Sequence, residues 1–206
     1  MKKTQGPAVT KGTYFLFTLG LVVIGWIIAA ANTGISYLAV GTVAVPISTG
    51  VVACLVHVLL VCFLHRAWWL GVLSVLPAVF VLVGSVQYAP EAALDRRGER
   101  HSVRVVADSA ADGGNNHRFT VVGRSGELDE TLNYDGSDPD WKIGDRLDVI
   151  TDPEGVVPME AAADVDPGGQ LGTLAMGAAG WTALTLLAGR RGYVRLLAGR
   201  ELADIS

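Results

Sequence analysis

Charge is scarce in this sequence. Charged residues make up 17% of the 206 residues, below the roughly 25% of ordinary soluble domains, and 50% of the residues are apolar. The scarcity is uneven, because several long runs carry no acidic or basic residue at all. This distribution excludes a single water-soluble domain and indicates a membrane protein.

Cysteine is nearly absent too. Cys54 and Cys62 are the only two, and both fall in one apolar run. On a single helix they would lie about 12 Å apart along the axis, too far to form a disulfide. The hydrophilic part of the chain has no cysteine, so disulfides do not contribute to its stability.

Familiar catalytic signatures are also missing. The sequence contains no P-loop, no dinucleotide-binding glycine set, no H-E-x-x-H and no G-x-S-x-G. We therefore predict no catalytic residue, no cofactor and no resident metal. A nucleic-acid partner is not predicted either.

Four long apolar runs stand out against this background. Each is close to the roughly 20 residues that a helix needs to cross a bilayer, and none contains Asp, Glu, Lys or Arg. They predict a membrane α-helical bundle of four transmembrane helices. Basic residues precede the first run, so its removal as a signal peptide stays an open alternative. The runs are residues 14–31, 47–64, 68–88 and 171–188.

A hydrophilic insert separates the third run from the fourth. Turn-forming residues recur through positions 90–168, with short segments of alternating polarity between them. These segments predict a small antiparallel β-domain of five or six strands between helices 3 and 4. The sequence D-P-E-G at 152–155 suits a type I turn. The alternation pairs Val103 with Val105, Phe119 with Val121, and Leu147 with Val149 on one face.

The chain is thereby divided into three parts. Residues 1–88 form the N-terminal tail and transmembrane helices 1–3, and residues 89–170 form the β-domain with its linkers. Residues 171–206 form transmembrane helix 4 and a basic tail. Residues 92–101 are predicted as a short charged helix or linker leaving the membrane, and residues 161–169 as the linker that returns.

Flanking charges predict the orientation. Both tails are basic, and four spans place them on one side, which the positive-inside rule identifies as the cytoplasm. Residues 89–170, with 8 basic and 18 acidic residues and a net charge of −10, then face the exterior of the cell membrane. Four arginines behind the third run oppose this orientation, but long inserts translocate largely regardless of charge. The tail cations are Lys2, Lys3, Lys11, Arg190, Arg191, Arg195 and Arg200, and the opposing arginines are Arg96, Arg97, Arg100 and Arg104.

Residues 144–155 read G-D-R-L-D-V-I-T-D-P-E-G. This segment resembles a G-D-x-V-x-V-x-x-D-P signature of uncharacterised multi-pass membrane proteins of the actinobacterial type, with leucine in place of the first valine. The resemblance implies an architecture, a small extracytoplasmic β-domain between apolar helices, and it implies no activity. The matching positions are Gly144, Asp145, Val149, Asp152 and Pro153.

The second apolar run carries C-x-x-H twice, as Cys54, His57, Cys62 and His65. About 16 Å of helical rise separates the first of these from the last, too far for one zinc. An ionisable side chain in mid-span is a candidate functional residue, so a proton, metal or haem role is considered for His57. The spans contain no Asp, Glu, Lys or Arg that could act as its partner, so this role is the alternative. The prediction is a histidine that faces the bundle, with a hydrogen bond to Ser, Thr or backbone.

The insert contains two further sets of residues with possible chemistry, an acidic turn and two histidines. A calcium loop starting at Asp135 fails, because Pro139 and Arg146 occupy ligand positions, so the surrounding acids are predicted to be a solvated turn. His101 and His117 are the candidates for a surface enzyme, with no recognisable nucleophile motif beside them. The acids of the turn are Asp129, Glu130, Asp135, Asp138 and Asp140.

Small residues recur at four-residue spacing in the fourth run. Gly169, Thr173 and Gly177 would let helix backbones approach closely, either within the bundle or in a homodimer. The basic tail, residues 189–206, is predicted to form a short interfacial helix or to act as a stop-transfer signal.

These features favour a non-enzymatic role. We predict an interaction, scaffold or sensing module that contacts the lipid bilayer through its spans and another envelope protein through its β-domain. The alternative is a small transporter or transporter subunit, because Pro77 interrupts the third run and Pro46 and Gly50 lie at the start of the second.

Overall fold

The computed structural model describes residues 11–65, 68–111, 114–124 and 126–198. These form five helices and six strands. The helices are α1 (Lys11–Leu38), α2 (Ala44–His65), α3 (Trp68–Leu73), α4 (Val75–Arg97) and α5 (Pro167–Leu197). The strands are β1 (Glu99–Asp108), β2 (Asn116–Gly123), β3 (Gly126–Glu127), β4 (Leu132–Asp135), β5 (Arg146–Thr151) and β6 (Glu160–Ala161).

Four helical segments are long and apolar enough to cross a membrane, as the sequence predicts. The third combines α3 and α4, which are separated by a break at Ser74. Pro77 causes this break, because a proline has no N–H to bond the carbonyl four residues earlier. The four segments run alternately up and down, so the start of α1 and the end of α5 meet at one end of the bundle, where Tyr14 and Tyr193 have ring centroids 6.3 Å apart.

The bundle interior combines apolar packing with a few buried polar side chains. Trp181 and Val81 lie at its centre, each 1% exposed. Asn32 donates to the hydroxyl of Ser85 at 2.8 Å and accepts from the hydroxyl of Thr49 at 3.0 Å, which links α1, α4 and α2. Such bonds are needed where no water is present to satisfy polar groups.

Helix α4 extends past the predicted end of the third run. The sequence places that end at Tyr88, yet the helix continues through Pro90 to Arg97, so the predicted boundary at 88/89 lies inside a helix. Pro90 leaves the carbonyl of Val86 without its helical donor. The hydroxyl of Ser36 donates to that carbonyl at 2.8 Å and so compensates for the missing bond.

The two predicted linkers are shorter than expected. Residues 92–101 supply the last turns of α4 and the start of β1, which follows directly after Gly98. On the return, α5 begins at Pro167, before the predicted start at 171, since proline suits the first turn and Asp166 caps it by accepting the N–H of Gly169 at 2.9 Å. The predicted tail helix is no separate element: α5 continues to Leu197, and residues 199–206 lie outside the described part.

The insert is a six-stranded antiparallel sheet, in agreement with the prediction. Its strand order is β3-β2-β1-β5-β6, and β4 also pairs with β2. The predicted alternation is confirmed, because the inward side chains of β1, β2 and β5 form one core with those of β4 and the segment before β6. The buried members are Val103, Val105, Phe119, Val121, Leu132, Val149 and Met159, with Leu147 packed at the edge.

The sheet docks on the end of the bundle through α4. Ile150 and Val157 pack against Leu94 in a second cluster. Arg97, the last residue of α4, donates two hydrogen bonds to Asp152, from Nε to Oδ1 at 2.9 Å and from Nη2 to Oδ2 at 2.7 Å. The β-domain and the bundle are therefore joined by apolar packing and by a bidentate ion pair.

Candidate functional site

A cleft of about 350 Å³ lies where the β-domain meets the bundle. Its lining comes from α4, the start of α5, strands β4 and β6, and the segment between β4 and β5. The lining combines carboxylates, aromatic rings and amides. It consists of Gln87, Pro90, Glu91, Leu132, Asn133, Tyr134, Trp141, Glu160, Ala161, Asp164 and Gln170.

Glu91 is the most deeply buried acid of the cleft, at 6% exposure. Its Oε2 accepts the backbone N–H of Asp166 at 2.9 Å, and its Oε1 accepts from Nε2 of Gln170 at 2.8 Å. Both donors belong to the entry of α5. The carboxylate is thus held in a fixed orientation between two helices.

Glu160 on β6 completes the acidic wall. Burial raises the pKa of its carboxyl to about 7, and the negative charges of Glu91 and Asp164 act in the same direction. Within the described residues, no lysine or arginine lines the cleft. A cationic group entering it would therefore meet acidic side chains with no basic residue beside them.

Two aromatic rings form the opposite wall. Tyr134 and Trp141 meet edge to face with ring centroids 6.1 Å apart. Trp141 also packs edge to face on the buried Phe119 at 6.0 Å, and the hydroxyl of Tyr134 donates to the carbonyl of Asp138 at 3.1 Å. The domain core thus fixes both rings. Aromatic faces beside carboxylates are the groups that bind ammonium and guanidinium ions.

The two histidines of the insert differ in setting. Nδ1 of His117 lies 2.8 Å from Oδ2 of Asp108, while Nε2 of His101 lies 3.8 Å from the exposed Glu99. Burial raises the pKa of Asp108, but its hydrogen bonds with Ala110 and His117 outweigh this effect and hold the pKa below its usual range. Nε2 of His117 is buried and has no hydrogen-bond partner among the described residues. In the described part of the chain, no nucleophile is bonded to this pair.

His57 is fully buried in the bundle. Its ring lies on Trp181 at a centroid distance of 4.4 Å, and Trp181 in turn donates from Nε1 to the carbonyl of Ser74 at 3.1 Å, at the helix break. Within the described part of the chain, neither ring nitrogen of His57 has a hydrogen-bond partner. The hydrogen bond to Ser, Thr or backbone that the sequence predicts is therefore not formed among the described residues, and the ring packs on Trp181 instead.

The cysteines of the same helix are buried as well. Cys54 donates weakly from Sγ to the carbonyl of Ala78 at 3.7 Å, and Cys62 lies farther along the helix. Among the residues described, no group of three His, Cys, Asp or Glu side chains comes together in a way that could hold a metal ion. The side chain of His65 lies outside the described set.

The three small residues of α5 have separate surroundings. A Cβ on Gly177 would lie 2.6 Å from the backbone nitrogen of Val81, so Gly177 lies directly against α4. Gly169 is near the side chain of Asp166, and Thr173 donates to the carbonyl of Gly169 within its own helix. Gly177 therefore takes part in the close contact between α5 and α4.

The acids singled out in the sequence do not line the cleft. Glu130 accepts the backbone N–H of Met159 at 3.1 Å, which ties two loops of the β-domain together. The cleft acids Glu91, Glu160 and Asp164 were missed because Glu91 is separated by about 70 residues in the chain from the other two. One signal was present: Glu91 follows an uncharged run of more than twenty residues and is a costly residue to bury there.

Comparison with known proteins assigns the chain to no family. No protein-family model matches the chain, and no curated protein or solved structure matches it. The resemblance carried by residues 144–155 therefore stays a prediction.

Proposed function

We propose that this chain is a membrane-anchored binding module that recognises a cationic group in the cleft between its β-domain and its helix bundle. The observation that carries the proposal is the uncompensated acidic wall of Glu91, Glu160 and Asp164 facing Tyr134 and Trp141. A cavity of this volume admits one side chain or small amine. The orientation that accompanies the proposal has both tails in the cytoplasm and the cleft outside.

The chemistry indicates which partners suit the cleft. Lysine and arginine side chains carry an ammonium or guanidinium on a flexible stem, and both bind to aromatic faces and carboxylates. An envelope protein with an exposed basic side chain fits this requirement. The module then acts as an interaction or sensing element and needs no reaction of its own.

Calorimetry on the full-length protein in detergent tests the proposal. The probe is 1,4-diaminobutane, and its neutral match is 1,4-butanediol, which has a similar length and no charge. We expect the diamine to bind and the diol not to bind. Deprotonation of Glu160 near pH 7 adds negative charge to the cleft. The diamine stays cationic at both pH 5.5 and pH 8.5, so binding should be stronger at pH 8.5 than at pH 5.5.

Two variants locate the binding. Glu160→Gln should weaken diamine binding at least tenfold, whereas Asp138→Asn, an exposed acid outside the cleft, should leave it unchanged. Loss of binding in Glu160→Gln would not reflect unfolding. A carboxyl whose folded-state pKa is raised destabilises the fold as pH rises above its unfolded pKa, so its neutralisation should maintain or increase stability at pH 8.5. Equal binding of diamine and diol, or wild-type binding by Glu160→Gln, contradicts the proposal.

A second candidate, the small transporter, rests on His57. A buried imidazole whose nitrogens have no partner among the described residues, next to the helix break at Ser74, is an arrangement found in ion and proton pathways. Proteoliposomes containing a pH-sensitive dye would show proton flux that His57→Phe removes. Flux no greater than that of empty liposomes rules out proton transport.

A further inference from the structure

The end of the bundle opposite the β-domain has two grooves that share Arg190. The first, of about 430 Å³, lies between α1 and α5. The second, of about 330 Å³, lies between α3 and α5. Tyr14, Phe15 and Leu186 contribute to the first groove. Trp69, Leu187 and Val194 contribute to the second.

Local packing builds each groove. Gly189 faces Thr18 so closely that a Cβ on the glycine would lie 2.6 Å from the threonine Oγ1, and this close approach of α5 to α1 forms the floor of the first groove. In the second, the guanidinium carbon of Arg191 lies 5.4 Å from the centre of the Trp69 ring. The cation is therefore held at the level of an aromatic residue, as at a bilayer interface.

The grooves combine apolar walls with positive charge. Phe15 is 62% exposed and Val194 is 57% exposed, so the walls open sideways, toward the position that lipid chains occupy around a spanning bundle. Of the residues described, no aspartate or glutamate lines either groove. The two grooves together thus form a surface that is cationic at its centre and apolar on both sides. Such a surface complements an anionic amphiphile with two chains.

We propose that this end of the bundle binds one anionic phospholipid, with its phosphate on Arg190 and Arg191 and an acyl chain along each groove. The grooves favour a phospholipid over two alternatives. Arginines that only set the orientation in the membrane would need no grooves beside them, and a free phosphate ion would need no apolar walls. A zwitterionic lipid fits the grooves but leaves the positive charge uncompensated. The inference requires that the four helices cross a bilayer, and it is independent of the proposed cleft function.

Thermal unfolding of the full-length protein in detergent, with added lipid, tests this site. Phosphatidylglycerol should raise the midpoint by several degrees, and phosphatidylcholine with the same chains should not. The double variant Arg190→Gln with Arg191→Gln should lose that shift. The control, Arg96→Gln with Arg100→Gln, removes the same charge at the other end of the bundle and should keep the shift.

Two further measurements separate the contribution of the acyl chains from that of the phosphate. Val194→Trp fills the second groove and keeps every charge, so it should reduce phosphatidylglycerol binding at least tenfold. Glycerol 3-phosphate, which carries the phosphate without chains, should cause no shift. The proposal is overturned by an equal shift from glycerol phosphate or from phosphatidylcholine, or by equal losses in the two double variants. Full binding by Val194→Trp would also overturn it.

Discussion

At the scale of single residues, Asp152 joins the two parts of the molecule. Its carboxylate accepts the backbone N–H groups of Glu154, Val156 and Val157, which shapes the turn after β5. The same carboxylate accepts the forked donors of Arg97 from the end of α4. The arginine bond is the main reason that the pKa of Asp152 falls to about 2, against the opposing effect of burial.

Substitution of Asp152 should destabilise the junction in a pH-dependent way. Because the folded-state pKa lies below the unfolded one, the stabilisation is present above about pH 4 and is lost as the pH falls toward 2. Asp152→Asn should cost roughly 2 kcal/mol at pH 7 and flatten the pH dependence in that window. Thermal unfolding at pH 7, 4 and 2.5 measures both effects.

Glu154 provides the matched control. It also pairs with Arg97, at 2.7 Å, but its side chain is 61% exposed. Exposed pairs contribute little, so Glu154→Gln should change stability by less than about 1 kcal/mol. If Asp152→Asn and Glu154→Gln lose equal stability, the burial of Asp152 is not the reason for its contribution to stability.

At the scale of elements, α4 and α5 pack with backbone against backbone. A Cβ on Gly84 would lie 2.6 Å from the nitrogen of Leu174, and one on Gly177 would lie 2.8 Å from the carbonyl of Pro77. Each glycine thus makes room for the backbone of the opposite helix. This contact occupies the face of α5 that bears Gly177, so a homodimer would have to use another face.

Alanine at these glycines should force the helices apart. Gly84→Ala and Gly177→Ala should each cost about 1–3 kcal/mol, because the added methyl group meets backbone that has no freedom to move. A Cβ added at Gly172, on the same helix α5, would have no atom within 4 Å among the described residues, so Gly172→Ala should be neutral or stabilising. Unfolding in detergent measures the stability of the three variants. Equal stability of all three would show that close packing of α4 on α5 is not required.

Elements with a strong local pattern were predictable from sequence, and contacts between elements were not. The alternation around Val103 and Phe119 indicated the strands of the sheet, and uncharged length indicated the spans. The end of α4 was misplaced because Pro90 is a local helix breaker, and the compensating hydroxyl of Ser36 lies 50 residues away from Val86 in the chain. The cleft was missed for the same reason, since Glu91 and Glu160 meet only after the sheet docks.

At the scale of the whole molecule, the two proposed sites lie at opposite ends of the bundle. The acidic cleft adjoins the β-domain, and the arginine-flanked grooves lie where α1 begins and α5 ends. The charge thus changes sign from one end of the four helices to the other. A membrane with anionic lipid on its cytoplasmic face would favour one orientation, with the basic end inside and the β-domain outside.

Cysteine labelling tests this orientation directly. Cys54 and Cys62 are buried at 7% and 8% exposure, so the unmodified chain should react little with a membrane-impermeant maleimide. Ser137→Cys, on an exposed turn of the β-domain, should label in intact cells, whereas Ala198→Cys, beyond the end of α5, should label only after permeabilisation. Labelling of Ala198→Cys in intact cells with protection of Ser137→Cys would reverse the orientation. It would place the acidic cleft in the cytoplasm, where an envelope partner could not reach it.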